Sequence, residues 1–504
     1  MINFIHIKQL INRCLCGVKL PSAEGASATD SKRSAGRGTG KERFKETPVE
    51  QVDAIIIGAG QAGPPLATDL AQSGRKVVLI ERERLGGTCV NNGCIPTKTL
   101  VASARTAHMV RRAADFGVKV DAPAVDMAAV KARKDAVVQQ SRDSLADWIG
   151  GTRNLELILG EAHFTGTHTI AVGTRELTAP LIVLNTGARP VKLDWPEMGD
   201  IPVLTNIEMM EMDRLPDHLV IVGGSYIALE FAQMYRRFGA RVTVLEHAER
   251  IIAREDPHVS QAVMDVLVSE GVDFHLSARD FRISKGQAGF HLSVTNADRT
   301  VKLEGSDLLA GIGRKPNVEA LALDVAGIKL DARGYIAVGD DLQTNVPGVY
   351  ALGDVNGRGA FTHTSYNDYE ILSANLIRGE GRSLAGRITG YALYTDPPLG
   401  RVGMTETQAK ASGRPVLKAF MPMSRVGRAR ERGETTGFLS VLADAETRQI
   451  LGAALFGTEA DEVIHLFINA MNSRLSVDDM RKIMPVHPTV SELVPTLLGM
   501  LKPL

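Results

Sequence analysis

The chain has 504 residues, 44% of them hydrophobic, and its 58 Lys and Arg balance 58 Asp and Glu to a formal net charge of zero. That length provides for about three or four domains at roughly 150 residues each, and the charge balance removes the global basic excess on which nucleic-acid binding rests. No apolar run approaches the roughly 20 residues that a membrane-spanning helix needs, and only four cysteines in so long a chain exclude a secreted disulfide scaffold and favour a reducing, cytoplasmic compartment.

Residues 1–48 differ in composition from the rest of the chain. The stretch MINFIHIKQLINRCLCGVKL carries bases without acids and has apolar residues at partly helical spacing, and the Ser/Gly/Arg-rich run from Ala23 to Lys45 reads as disordered. The segment is a targeting presequence for organellar import, a non-essential extension, or sequence read from an upstream start codon. Its Cys14 and Cys16 form a lone C-x-C pair, which either handles thiols or metals or is idle.

Val52 to Ile57 is the apolar run expected of a buried parallel strand, and it leads directly into GAGQAG with Gly58, Gly60 and Gly63. A helix-like segment comes next, then a second strand from Lys76 to Ile80 that delivers Glu81 about 20 residues after the motif. In such a unit the glycines make the tight turn and let the backbone approach a pyrophosphate at a helix N-terminus, while the acid accepts from a ribose hydroxyl. A glycine motif alone also fits an ordinary strand-to-helix turn; strand, helix, second strand and acid together specify a dinucleotide site.

Residues 86–98 read GGTCVNNGCIPTK, with four residues between Cys89 and Cys94. A disulfide closing so short a loop removes little entropy from the unfolded chain, so stabilisation is a poor reason for it, whereas thiol–disulfide exchange suits it. Two unrelated core thiols, or half of a zinc site, are the competing readings.

The nucleotide unit recurs from His218 to Glu246: an apolar strand, GGSYIA beginning at Gly223, a helix-like stretch from Leu229 to Phe238, a strand from Val242 to Leu245, and Glu246. Ser225 and Ala228 stand where the second and third glycines would fall, so this copy keeps small residues but departs from the plain pattern.

In order along the chain, GAGQAG, GGTCVNNGCIPTK, NTGARP (Asn185 to Pro190), GGSYIALE, GIGRKPN (Gly311 to Asn317), GVYALGD (Gly348 to Asp354) and HPTVSE (His487 to Glu492) resemble the motifs of the class I pyridine nucleotide-disulfide oxidoreductases, the group of glutathione reductase, dihydrolipoamide dehydrogenase and mercuric reductase. The resemblance covers nearly everything beyond residue 50. It implies an α/β fold with two Rossmann-like dinucleotide-binding domains, for FAD and for NAD(P), and an α+β C-terminal dimerisation domain. The implied spans are 49–195 for the first FAD segment, 196–318 for the NAD(P) domain, 319–388 for the return to the FAD domain and 389–504 for dimerisation.

Carried over by resemblance, Gly58, Gly60, Gly63 and Glu81 hold the FAD pyrophosphate and adenosine ribose. Thr88 and Lys98 lie by the flavin, Gly187 near the adenine side, and Asp354 on the ribityl chain. Glu230 pairs with Lys98, or the two form a plain structural ion pair. Gly223, Tyr226 and Glu246 belong to the nicotinamide cofactor's surroundings, with Tyr226 the aromatic lid of its pocket unless it merely packs in the turn, and Gly313 is a further cofactor-binding position. The implied relay runs from NAD(P)H through flavin to the Cys89–Cys94 disulfide, Cys94 being the charge-transfer thiolate and Cys89 the interchange thiol. His487, oriented by Glu492, is the acid–base group that a second subunit supplies in a homodimer. The carboxylate of Glu246 favours NADH over NADPH, whose 2′-phosphate it would repel.

The subfamily markers conflict. Mercuric reductases carry a vicinal cysteine pair near the C-terminus and tend to lack the catalytic histidine, whereas this chain ends LVPTLLGMLKPL and has His487. Ser225, the GQAGPPLA run and FTHTSYNDYE (Phe361 to Glu370) are similar instead to mercuric-reductase-like proteins and their reactive-chlorine-resistance relatives. The expected reaction is therefore reduction of a metal ion or a small disulfide. The alternatives are a dihydrolipoamide dehydrogenase and a non-enzymatic flavin/thiol sensor.

Overall fold

The computed structural model describes residues 49–195, 197–296 and 299–504; the extension with Cys14 and Cys16 lies outside them. The first apolar run becomes strand Ala54–Ile57, all four residues buried. It pairs in parallel with Val77–Glu81 on one side and Leu181–Leu184 on the other. Leu155–Leu159 and Val349–Ala351 complete a five-stranded parallel sheet as its two edges. Strands buried on both faces need no alternation, which is why the sequence shows an unbroken run. The strand starts two residues later than the expected Val52. The chain changes sheets there: Val52 N donates to Thr178 O of a small neighbouring sheet, and Asp53 turns its carboxylate to Lys76 N at 2.6 Å. The second strand likewise runs Val77–Glu81 and so includes the acid.

A second sheet has the same plan. Strand His218–Val222 is central between Arg241–Leu245 and Asp307–Ala310, with Val272–His275 and Val203–Leu204 at the edges, all parallel. The correspondence reaches single hydrogen bonds. Ala59 N donates to Glu81 Oε2 in the first unit and Gly224 N to Glu246 Oε2 in the second, each across 22 residues. Gly58 and Gly223 stand at φ of +105° and +110°, where a Cβ would lie 2.3 Å from Asn185 O and 2.4 Å from Gly311 O. Only glycine fits either position. The second helix runs Tyr226–Phe238 and its following strand starts at Arg241, so helix and strand begin three and one residues ahead of their apolar patterns. Ser225 is extended and stands just ahead of the helix without a side-chain capping bond, which puts Tyr226 in the first turn.

Helix Gly63–Gln72 has Pro64 and Pro65 in its first turn, where helix amides lack intrahelical acceptors. Asn185 accepts from Gly63 N at 3.0 Å and donates to Leu352 O at 2.9 Å, joining three of the sequence motifs at one point. Helix Thr362–Arg378 is fastened to Gly63–Gln72 by Tyr369 and Ser373, both donating to Asp69. The C-terminal part is a six-stranded antiparallel sheet, Gly390–Leu393, Leu399–Gly403, Ile450–Phe456, Phe438–Asp444, Val416–Pro422 and Lys502–Pro503 in spatial order. Helix Ala460–Asn472 buries Val463, Ile464 and Phe467 in the core of this part. A partly buried ion network ties the parts together: Arg105 pairs with Asp396 and Glu434, and Arg237 with Asp396 and Glu270. Among the described residues no helix is long and apolar enough to cross a membrane.

Candidate active site

The redox loop is held against the first glycine turn. Gly86 N donates to Ala59 O at 2.8 Å, and a Cβ on Gly87 (φ +57°) would come within 2.9 Å of Gly60 Cα, so the glycine pair ahead of Cys89 is needed for close approach. Asn91 fixes the loop further, donating to Leu85 O and Gly87 O and accepting from Arg142 Nε. Asn206 Nδ2 donates to Asn92 O from the second nucleotide unit.

Cys89 sits in the short helix Gly87–Asn91, and Cys94 is the first residue of helix Cys94–Arg111. Both are free thiols, Cys89 half-buried and Cys94 exposed. They differ in acidity. Hydrogen bonding to Cys94, reinforced by burial, pushes the Cys89 thiol up. Cys94 is lowered to about 6, first by the hydrogen bond from Cys89 and then by Thr362 and the charge of Lys98. Thr362 Oγ1 stands 3.1 Å from Cys94 Sγ. A helix N-terminus adds its positive end to the same effect. The surroundings thus favour the charged form at Cys94 over Cys89.

Lys98 lies one turn along the same helix and donates to both oxygens of Glu230, at 2.8 and 2.7 Å. Its ammonium also lies 4.4 Å from the centre of the Tyr394 ring, while Tyr394 N donates to Glu230 Oε1 at 3.0 Å. Glu230 is 6% exposed and Lys98 33%, so the acid is anchored while the cation is partly open to solvent. Tyr226, one turn before Glu230, donates its hydroxyl to Glu255 at 3.1 Å.

The positions named from sequence for the cofactors have the following surroundings. Burial pushes the Asp354 carboxyl up, with Arg314 opposing at 3.5 Å. Arg314 also donates to Thr88 Oγ1 at 3.3 Å, and its Nε is buried without a partner. Such an orphaned donor beside Asp354 and Thr88 suits a polar group such as the flavin side chain of FAD. Glu81 accepts from Ala59 N and Glu83 N, which fixes its carboxylate at the first glycine turn. Glu246 is held in the same way by Gly224 N and Ala248 N, with His247 beside it at 2.8 Å. Gly187 and Gly313 have φ of +68° and +124° with open space where a Cβ would point, leaving room for a ligand.

His487 is 79% exposed, and its Nδ1 meets Glu492 Oε2 at 2.7 Å. Exposed Ile483, Met484 and Val486 precede it, so this histidine stands on an apolar, uncovered surface of a single chain. Sequence reading did not single out Thr362, Arg314, Tyr394 or Glu255. Thr362 and Arg314 lie inside FTHTSYNDYE and GIGRKPN, runs quoted for their family likeness, whereas Tyr394 and Glu255 carry no local pattern.

Residues 52–368 match the family model described as pyridine nucleotide-disulphide oxidoreductase, and residues 389–498 match that of its dimerisation domain. The chain is 34% identical to the probable pyridine nucleotide-disulfide oxidoreductase RclA of Escherichia coli K12, over 90% of this chain and 100% of the relative. It is 31% identical to a mercuric reductase of Lysinibacillus sphaericus, over 88% of this chain and 81% of that protein. Among solved structures, the Cu(II) complex of the HOCl-induced flavoprotein disulfide reductase RclA from Escherichia coli aligns with a TM-score of 0.81 and 33% identity, covering 90% of this chain and 99% of the other.

Proposed function

The chain belongs to the pyridine nucleotide-disulphide oxidoreductase family, whose members use FAD and NAD(P)H, and from this we propose that it drives reduction of a metal ion or a small disulfide through Cys89 and Cys94. The observation that carries the reading is the placement of the thiol pair: Cys94 opens helix Cys94–Arg111 with Thr362 Oγ1 3.1 Å from its sulfur and with Lys98, held by Glu230, one turn on, surroundings that lower Cys94 while Cys89 is raised. Bound FAD and nicotinamide supply the electron pair that opens the disulfide. Lys98, held by Glu230, keeps a positive charge beside the reacting sulfur and flavin. Cys94 carries the thiolate at the helix N-terminus, and Cys89 is the thiol that meets the acceptor. His487 takes and returns the thiol proton across a homodimer, its tautomer set by Glu492.

The likeness to RclA and to a mercuric reductase supports a metal ion as acceptor. The His487–Glu492 pair at 2.7 Å supports a disulfide, and with it the second reading, a dihydrolipoamide dehydrogenase working toward NAD⁺. Segments 49–195 and 319–388 serve FAD, 196–318 the nicotinamide cofactor, and 389–504 dimerisation. NADH is the preferred donor, on the strength of Glu246, and the low cysteine count supports a cytoplasmic location. Steady-state NADH oxidation with Cu²⁺, Hg²⁺, quinones and a panel of disulfides tests the reading. Turnover with a metal ion or a disulfide supports it, and NAD⁺ reduction by dihydrolipoamide faster than any of these replaces it with the second reading.

A further inference from the structure

Two tyrosines from different parts of the fold share one buried acceptor. Tyr226 Oη donates to Glu255 Oε1 at 3.1 Å, and Tyr391 Oη donates to the same oxygen at 2.6 Å. Their rings meet edge to face at 5.6 Å. Tyr226 opens helix Tyr226–Phe238, Glu255 lies in the loop just ahead of helix Pro257–Ser269, and Tyr391 is on strand Gly390–Leu393 of the C-terminal sheet. Glu255 is 2% exposed. Its second oxygen has no hydrogen-bond partner and lies 3.8 Å from Nε of the equally buried Arg401. Burial pushes both phenols up, so both remain donors at neutral pH.

We propose that Glu255 is the latch that holds Tyr226 closed over the nicotinamide pocket, and that Tyr391 sets the strength of this latch by competing for the same carboxylate oxygen. The proposal rests on the reading of Tyr226 as a movable lid. A buried carboxylate with a single donor would be left unpaired whenever the lid moved, at a large cost. Here Tyr391 and Arg401 remain with Glu255 when Tyr226 leaves, so opening breaks one hydrogen bond without orphaning the charge. The latch then fixes what fraction of the protein has an open pocket, and the apparent affinity for the dinucleotide scales with that fraction. Glu255 and Tyr391 are positioning residues: they act through Tyr226.

The test is calorimetric titration of NAD⁺ into the FAD-loaded dimer. Tyr226→Phe removes the latched hydroxyl but keeps the ring, and should tighten the apparent Kd by about tenfold or more, the weight of one hydrogen bond to a charged group. Tyr391→Phe gives Glu255 wholly to Tyr226 and should weaken binding. The double variant Tyr226→Phe/Tyr391→Phe should match Tyr226→Phe alone. Tyr226→Ala, which removes the ring, distinguishes the lid from its latch. If it leaves the Kd unchanged, Tyr226 is not a lid and the underlying reading fails. If it tightens binding while Tyr226→Phe binds as the wild type does, the lid stands and the latch is overturned. A Tyr391→Phe variant that binds NAD⁺ as tightly as the wild type or more so overturns the competition.

Discussion

Cys94 Sγ and the Thr362 hydroxyl stand 3.1 Å apart although 268 residues separate them in sequence, so the redox loop is completed by the start of a helix that the chain reaches only after building both nucleotide units. A hydroxyl facing a thiolate favours the charged form. The thiolate of Cys94, lowered to about 6, should be present above that pH and lost as the pH falls through it. Thr362→Val should move the midpoint upward, and Thr362→Ser should leave it in place. The long-wavelength thiolate–flavin absorbance of the Cys89→Ser protein, followed against pH, gives both midpoints. Identical midpoints in the Val and Ser variants would remove Thr362 from this role.

Lys98 and Glu230 form the second pair at the site, at 2.7 Å with the acid 6% exposed. Lys98→Met leaves that carboxylate with only Tyr394 N as a described donor. Because Lys98 is itself one-third exposed, the loss should fall short of a fully buried pair, at about 1–3 kcal/mol of stability. Denaturant unfolding of the FAD-loaded protein measures it, and an unchanged midpoint would show that the pair contributes nothing to the fold.

His487 is useful to Cys89 only if another subunit brings it there. Mixing Cys89→Ala with His487→Ala protein under conditions of subunit exchange should restore turnover, since each mixed dimer holds one intact composite site out of two. Absence of recovery after proven exchange would mean that the site is not shared.

Glu246 is 7% exposed, with its oxygens held by Gly224 N and Ala248 N, so it cannot turn away from an incoming 2′-phosphate. NADH should exceed NADPH in kcat/KM by about tenfold or more, as expected of one close charge repulsion in a partly buried site. Arg250 donates to Ala253 O within its own loop. Glu246→Gln keeps acceptors for the two amides while removing the charge, and should narrow the ratio. A wild-type preference for NADPH, or an unchanged ratio in the variant, would contradict this role.

The two nucleotide units were legible in the chain because their apolar runs, glycines and acids are local, falling within about 30 residues of one another. Local patterns blur at edges, however. The strand expected from Val52 begins at Ala54 because the chain leaves one sheet for another there. The helix expected from Leu229 begins at Tyr226 because Ser225 is extended. Thr362 beside Cys94 and Tyr391 beside Glu255 were not legible at all. Their partners lie 268 and 136 residues away, and a threonine or a tyrosine in a strand or helix has no sequence signature that distinguishes such a contact from ordinary packing. Geometry supplied those contacts once the sheets had placed the strands.

The visible spectra of the two cysteine variants bear most directly on the path of the electrons. Purified with FAD, Cys89→Ser should show the long-wavelength thiolate–flavin band without reductant, because the serine hydroxyl can still face Cys94, and Thr362, Lys98 and the helix N-terminus continue to favour its thiolate. Cys94→Ser should show no such band even after anaerobic NADH is added, and neither variant should reduce the acceptor that the wild type reduces. Indistinguishable spectra, or acceptor reduction that persists in both variants, would contradict the assignment of electron flow through this pair.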